Sequence, residues 1–239
     1  MKTNIKNVLM SAFITLAVAS ASQAATIVSD TLSGPAGTVI TGHKTEVGGV
    51  TWHPEWPWDA ADAYFAPGGT GITRGTAEAA GNAAASLWLP SVYEKNAILT
   101  VSADMNPGTL SPGKPFTYGG IGFSNSTVEG SGPKGPITNA STQVLSVLLR
   151  SDNTWELWAG GVAVTKGKAE PFSGQVQLSL TYNQLENTAT VSIGGTKVLS
   201  NFAVSSSLAP VAAAGFQLWD GVAGTGLVTN FRVDAVPKP

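Results

Sequence analysis

Apolar and polar residues alternate with a period of two along most of this chain, which predicts strands with one buried face. In Ala97–Met105 (AILTVSADM), Ile98, Thr100, Ser102 and Asp104 take one set of alternate positions and apolar residues the other. Val176, Leu178 and Leu180 alternate in Gln175–Asn183, and Val191 and Ile193 do so in Thr188–Gly195. Further strand-like runs are Gly37–Gly42, Ala84–Pro90, Tyr118–Ser124, Gln143–Arg150, Thr154–Gly160, Ala212–Asp220 and Leu227–Val233. The residues between them carry turn chemistry: Ser151-Asp152-Asn153 and Leu185-Glu186-Asn187 predict tight hairpins, and Gly194-Gly195 supplies positive φ. Asn106–Pro115 and Glu129–Pro136, rich in Pro and Gly, predict surface loops. One helix-like stretch, the alanine-rich Gly75–Ala85, is split by Gly81.

Ten or more strands in one chain predict an all-β fold, a two-sheet antiparallel jelly-roll sandwich. The first residues stand apart from it. Lys2 and Lys6, an apolar run from Val8 to Ala19 and the small-residue Ser22-Gln23-Ala24 form a three-part export leader. That run is short for a permanent membrane span. The expected organisation is a signal peptide over residues 1–24, a sandwich domain over 25–233 and a short tail over 234–239, in a protein that is secreted or held at the cell surface.

Composition narrows the chemistry. Of 13 Lys and Arg two lie in the leader, leaving 11 against 15 acids, so no basic patch for nucleic acid is expected. The absence of cysteine excludes disulfides and thiolate metal sites. With charged residues at 12%, the remaining roughly 215 residues suffice for one core without staples. No internal repeat or composition break marks a second domain.

The order of GGVTW, GGIGFS, VQLSLTYNQLENTATVSIGGTKV and AAAGFQLWDGVAGTGLVTNFRV resembles exported bacterial members of the concanavalin A-like lectin/glucanase superfamily, including laminin-G-like sandwiches. The resemblance spans nearly the whole chain after the leader and implies a jelly roll with one concave sheet, often carrying a glycan site. Asp234–Pro239 (DAVPKP) is similar to the signature that opens the tail of PEP-CTERM surface proteins, with Lys238 in place of its glutamate. That departure favours a plain secreted product or a relative without the sorting tail.

Enzyme signatures of the superfamily are missing. Retaining glycanases carry alternating carboxylates on one strand, so that two face the cleft. Here the nearest acid pairs, Glu55/Asp59 and Asp59/Asp62, fall in a proline-broken stretch, and Asp104, Glu156 and Glu170 are isolated. His43 and His53 read as polar loop residues, and Arg74, Arg150 and Arg232 are scattered. No nucleophile elbow or phosphate loop appears, Pro67–Gly75 reading as a turn. The resemblance also implies a structural calcium near paired first and last strands, for which Asp30 and Asp234 are candidates; both also read as ordinary terminal acids.

The seven tryptophans carry what functional signal there is. Flat indoles stack on the apolar faces of sugar rings. Trp52 and Trp155 read as core, whereas alternation places Trp158 beside Glu156 and Trp219 beside Gln217 on the opposite face. Trp56 and Trp58, with Asp59, lie in TWHPEWPWD, where Pro54 and Pro57 forbid regular structure. They either cover the open end of the core or line a glycan groove. The candidate ligand residues are therefore Trp56, Trp58, Asp59, Trp158 and Trp219, and the candidate partner is a polysaccharide or cell-surface glycan. A non-catalytic lectin-like or surface component is the leading expectation. A hydrolase or lyase with an unrecognised site and a protein-binding adhesin are the alternatives.

Overall fold

The computed structural model describes residues 23–54, 63–74, 81–93, 96–125 and 142–237. The leader through Ser22, Glu129–Pro136, and Lys238 and Pro239 of the tail lie outside them. Within them the protein is an all-β, two-sheet antiparallel jelly-roll sandwich. The first sheet contains β1 (Ala25–Asp30), β3 (Ala63–Phe65), β4 (Ile72–Arg74), β6 (Ala97–Asn106), β11 (Val176–Asn183), β12 (Thr188–Ile193), β13 (Thr196–Ala203) and β15 (Leu227–Pro237). Its order is β13-β12-β11-β6-β15-β4-β3, with β1 also paired to β15. The second sheet has the order β10-β9-β8-β7-β14-β5-β2. Its strands are β2 (His53–Pro54), β5 (Gly81–Trp88), β7 (Tyr118–Ser124), β8 (Gln143–Arg150), β9 (Thr154–Ala159), β10 (Val162–Lys168) and β14 (Ala213–Gly221).

Alternation sorts the residues as the sequence predicts. In β6, Leu99, Val101, Ala103 and Met105 are buried between the sheets and meet Ile121 and Phe123 of β7 and Phe216 and Leu218 of β14 in one core. The predicted hairpins form with positive φ at Asn153, Asn187, Gly194 and Gly195, and Asn106–Pro115 is a connection between strands. Gly119 faces the core because a Cβ there would lie 2.2 Å from Met105 Sδ.

Three expectations need correction. Gly37–Gly42 is no strand: Gly37 and Gly42 take positive φ, and Val39 makes only an isolated bridge to Tyr64. Gly81–Ala85 is extended, not helical, because Ala83 and Ala85 face the core and their partners on β14 supply the hydrogen bonds. The alanine run satisfies a strand buried on both faces as well as a helix. Pro67–Gly75 ends in strand β4, whose Ile72 pairs with Val228.

Trp52 is the largest fully buried side chain and joins the two sheets. Its ring meets Phe216 of the second sheet edge-on at 5.3 Å and Phe231 of the first at 5.0 Å. Its indole N–H donates to Asp30 Oδ2 at 2.7 Å, while Asp30 Oδ1 accepts from Leu32 N at 2.8 Å. A second polar knot surrounds the fully buried Arg74. Its Nη1 donates to the Thr225 carbonyl at 2.8 Å, and Nη2 donates to Thr117 Oγ1 at 3.0 Å and the Trp219 carbonyl at 3.1 Å. Burial lowers its pKa to about 10, which keeps it charged at neutral pH.

Candidate functional site

Trp158 and Trp219 share the outer face of the second sheet, as alternation predicts, and both are partly exposed. Trp155 and Leu157 on β9, and Phe216 and Leu218 on β14, point into the core. Register defines the rest of this face. On β14 it presents Ala213, Gly215, Gln217 and Trp219. On β5 these pair with Trp88, Ser86 and Ala84, and on β7 with Ser124, Gly122, Gly120 and Tyr118. Ser146 of β8 lies opposite Gly122, and Trp158 of β9 opposite Ser146.

The floor is thus glycine, alanine and serine, bordered by the indoles of Trp88, Trp158 and Trp219. Its side chains converge. A Cβ at Gly122 would lie 2.5 Å from Ser146 Cβ, and one at Gly215 would lie 2.8 Å from Ser86 Oγ. Facing Cβ atoms in a flat antiparallel pair are roughly 4.5–5.5 Å apart. The floor itself is covered: Ala84, Ser86, Ser124, Ser146, Ala213 and Gln217 are at most 1% exposed, whereas Trp88, Trp158 and Trp219 at its border are partly exposed.

Trp158 is held in place. Its Nε1 donates to Glu156 Oε2 at 3.1 Å, and Arg150 Nη2 donates to Glu156 Oε1 at 2.8 Å. The Arg150 guanidinium in turn sits 3.9 Å over the Phe116 ring. Both Glu156 oxygens are therefore engaged, which makes it a positioning group. Replacing Glu156 by alanine should free the indole at a cost of about 1–2 kcal/mol. Time-resolved tryptophan anisotropy would show the added mobility, and an unchanged decay would mean that packing alone holds the ring.

The candidate metal ligands are not brought together. Asp30 and Asp234 sit on paired strands, but Asp30 is buried in the core and pairs with Phe231, whereas Asp234 lies opposite Thr26 on the outer face. Asp30 is taken up by Trp52 and Leu32, with His43 Nε2 3.3 Å away lacking hydrogen-bond alignment. Asp234 accepts from Thr26 at 2.8 Å and from Arg232, whose pKa it raises. Two carboxylates on opposite faces of one sheet cannot share an ion. Among the described residues, no three His, Asp or Glu gather as a ligand set. Nor do the isolated acids meet: Asp104 lies outside the first sheet, Glu156 outside the second, and Glu170 is exposed beyond β10.

Trp56, Trp58 and Asp59 lie outside the described residues, as do Glu55 and Asp62. Sequence reasoning missed Trp88, Ser86, Ser124 and Gln217. The alternation Ala84, Ser86, Trp88 is a usable signal for the first two, since it places an indole and a hydroxyl opposite the core-facing Ala85 and Leu87.

No family model and no curated protein sequence matches this chain. Solved structures share its fold. The carbohydrate recognition domain of Emp47p is 14% identical, with 92% of this chain and 99% of that one covered and a TM-score of 0.54. A protein of unknown function with a galectin-like fold from Bacillus subtilis is also 14% identical, with 90% and 98% covered and a TM-score of 0.54. Lectin UEA-II, complexed with galactose, is 11% identical, with 85% and 99% covered and a TM-score of 0.50. At such identities the likeness is one of fold: this chain shares a two-sheet antiparallel sandwich with these domains.

Proposed function

We propose that this protein is an exported, non-catalytic lectin-like domain that binds carbohydrate at the indoles on the outer face of its second sheet. The observation that carries the reading is a floor of small residues bordered by Trp88, Trp158 and Trp219, with Trp158 preoriented by Glu156. The three indoles are partly exposed, and a fixed indole offers a sugar ring a stacking face at little entropic cost. Carbohydrate recognition domains and lectins among the structural neighbours support the same reading by analogy of fold. Residues 1–24 are read as the export leader and 25–233 as the working domain, giving a secreted or surface protein; whether it belongs with the PEP-CTERM proteins rests on the DAVPKP tail alone.

Glu156, the carboxylate that β9 presents to this face, is bound on both oxygens, which favours binding over hydrolysis. Asp30 and Asp234 lie on opposite faces of the first sheet and do not form a calcium site together. The test is a titration of polysaccharides followed by tryptophan fluorescence, with reducing and unsaturated ends assayed in the same wells. Saturable binding without new ends is expected, together with at least tenfold weaker binding in the Trp158→Ala/Trp219→Ala double variant at an unchanged Tm. Accumulating ends would make the protein an enzyme, and full affinity in the double variant would move the site elsewhere.

A further inference from the structure

We propose that a cleft at one end of the sandwich, onto which the Tyr182 hydroxyl opens, is a second carbohydrate site that holds a single sugar ring. The cleft has a volume of about 280 Å³ and lies between the turn joining β11 to β12 and the segment Ser206–Pro210. Sites for small ligands begin at roughly 300 Å³, so this one suits one ring. The starting observation is Tyr182. Its ring is packed in the core, opposite Leu99 and Ala189, and the residue is 4% exposed. That remainder lines the cleft. Among the described residues none hydrogen-bonds the phenol, and its oxygen is not sealed from solvent. A tyrosine so deeply packed usually gives its hydroxyl a protein partner, and phenylalanine would fill the same core space. Packing therefore accounts for the ring and leaves the hydroxyl to the cleft.

The walls are already ordered. Asn183 Oδ1 accepts from Leu185 N at 3.1 Å and Glu186 N at 3.3 Å, which fixes the turn after β11. Asn187, at φ 51, accepts from Val204 N at 2.8 Å through its carbonyl and ties the opposite wall to the same turn. Gln184 Nε2 donates to the Tyr93 carbonyl at 2.9 Å, so its side chain is held while its carbonyl oxygen and second N–H remain for a ligand. A site fixed in this way loses little entropy when it binds.

The lining specifies the ligand. Tyr182, Gln184, Asn187 and Ser206 present a phenol, two amides and a hydroxyl, and each of these both donates and accepts. Burial raises the Tyr182 pKa, which keeps its proton in place at neutral pH. Sugar hydroxyls likewise donate and accept, whereas a carboxylate or phosphate only accepts and would meet half of such a set with the wrong polarity. Leu208 and Pro210 supply an apolar wall for the C–H face of the ring. The cleft draws on the first sheet and on the segment after β13, and shares no residue with the indole face of the second sheet. It therefore stands or falls apart from the binding proposed there.

Saturation-transfer NMR titrations with methyl glucoside, methyl galactoside, methyl mannoside and xylose test this. They use the full chain and its Trp158→Ala/Trp219→Ala variant, in which the indole face is removed. At least one sugar should still bind the double variant. Adding Tyr182→Phe should weaken that binding at least tenfold at an unchanged Tm. Asn187→Gly, which suits the positive φ, should weaken it several-fold. Loss of all sugar binding in the double variant, with the unaltered chain still binding, would overturn the cleft and leave the indole reading standing. Full affinity in both Tyr182→Phe and Asn187→Gly would overturn the cleft too. So would a fall in Tm of several degrees for Tyr182→Phe, since the hydroxyl would then be serving the fold. Binding that needs Tyr182 and neither tryptophan would uphold the cleft and remove the indole reading; binding of no sugar by any chain would sink the cleft.

Discussion

Asp30→Ala should destabilise the protein by about 3–5 kcal/mol, because it leaves two buried donors without an acceptor. Those donors are the Trp52 indole N–H and the Leu32 amide. Leu32 adds to the loss: it is fully buried at φ 60, a left-handed conformation that a leucine keeps only when its surroundings hold it. Trp52→Ala should cost a similar amount by a different route, emptying the space between Phe216 and Phe231. The pair therefore separates hydrogen bonding from packing. In a double-mutant cycle of Asp30→Ala with Trp52→Phe, urea unfolding should show a coupling of about 1–2 kcal/mol. A single-variant loss below about 1 kcal/mol would mean that water replaces the carboxylate.

Arg74→Met is the second large effect, with an expected loss of about 3–5 kcal/mol. The Thr225 and Trp219 carbonyls lose their donor, as does the Thr117 hydroxyl, which itself donates to the Pro107 and Trp219 carbonyls. Lysine is a poor replacement because one ammonium cannot span partners on three segments as the planar guanidinium does. The cradle is shaped for that plane: a Cβ at Gly226 would lie 2.2 Å from Nη1, and one at Gly221 would lie 2.4 Å from Cζ. Arg74 also holds the backbone of Trp219. Arg74→Lys should therefore loosen both the fold and the strand end that carries Trp219, read as a lower Tm and as a shift in tryptophan fluorescence at temperatures where the variant is still folded. Normal Tm in Arg74→Met would show that the three segments stay together without it.

Most of the fold was legible in the alternation of β6, β9, β11, β12 and β14, because a sheet with one face in a core writes its burial directly into the sequence. The elements that escaped have physical reasons. β10 carries exposed Val162 and Val164 at a sheet edge and buries almost nothing. β13 is the edge of the other sheet and is likewise largely exposed. Only the start of β5 was misread, since alanine on both faces there removes the contrast on which alternation depends.

The site divides in the same way. Trp158 and Trp219 were assigned to the outer face from their immediate neighbours, since the inside–outside choice is local. Gln217 was not recognisable as a buried amide without hydrogen-bond partners. Its lack of partners follows from Gly120 and Ala84, residues about a hundred or more positions away that register alone brings beside it. Asp30 and Asp234 differ for a related reason: the resemblance implies paired first and last strands, but only the structure shows which side of the sheet each one faces.

The pairing of β1 with β15 sets Ala25 beside Ala235, so whatever precedes the first strand and whatever follows the last depart from neighbouring points on the rear sheet. A tether attached at either end pulls on the same spot, and that spot lies on the sheet opposite the one that carries Trp158 and Trp219. Fixed to a surface, a bead or a second domain through either end, the protein would therefore display the outer face of its second sheet outward. A short bridge between the two ends would also permit new ends to be opened in an exposed hairpin such as Ser151-Asp152-Asn153 without turning that face around.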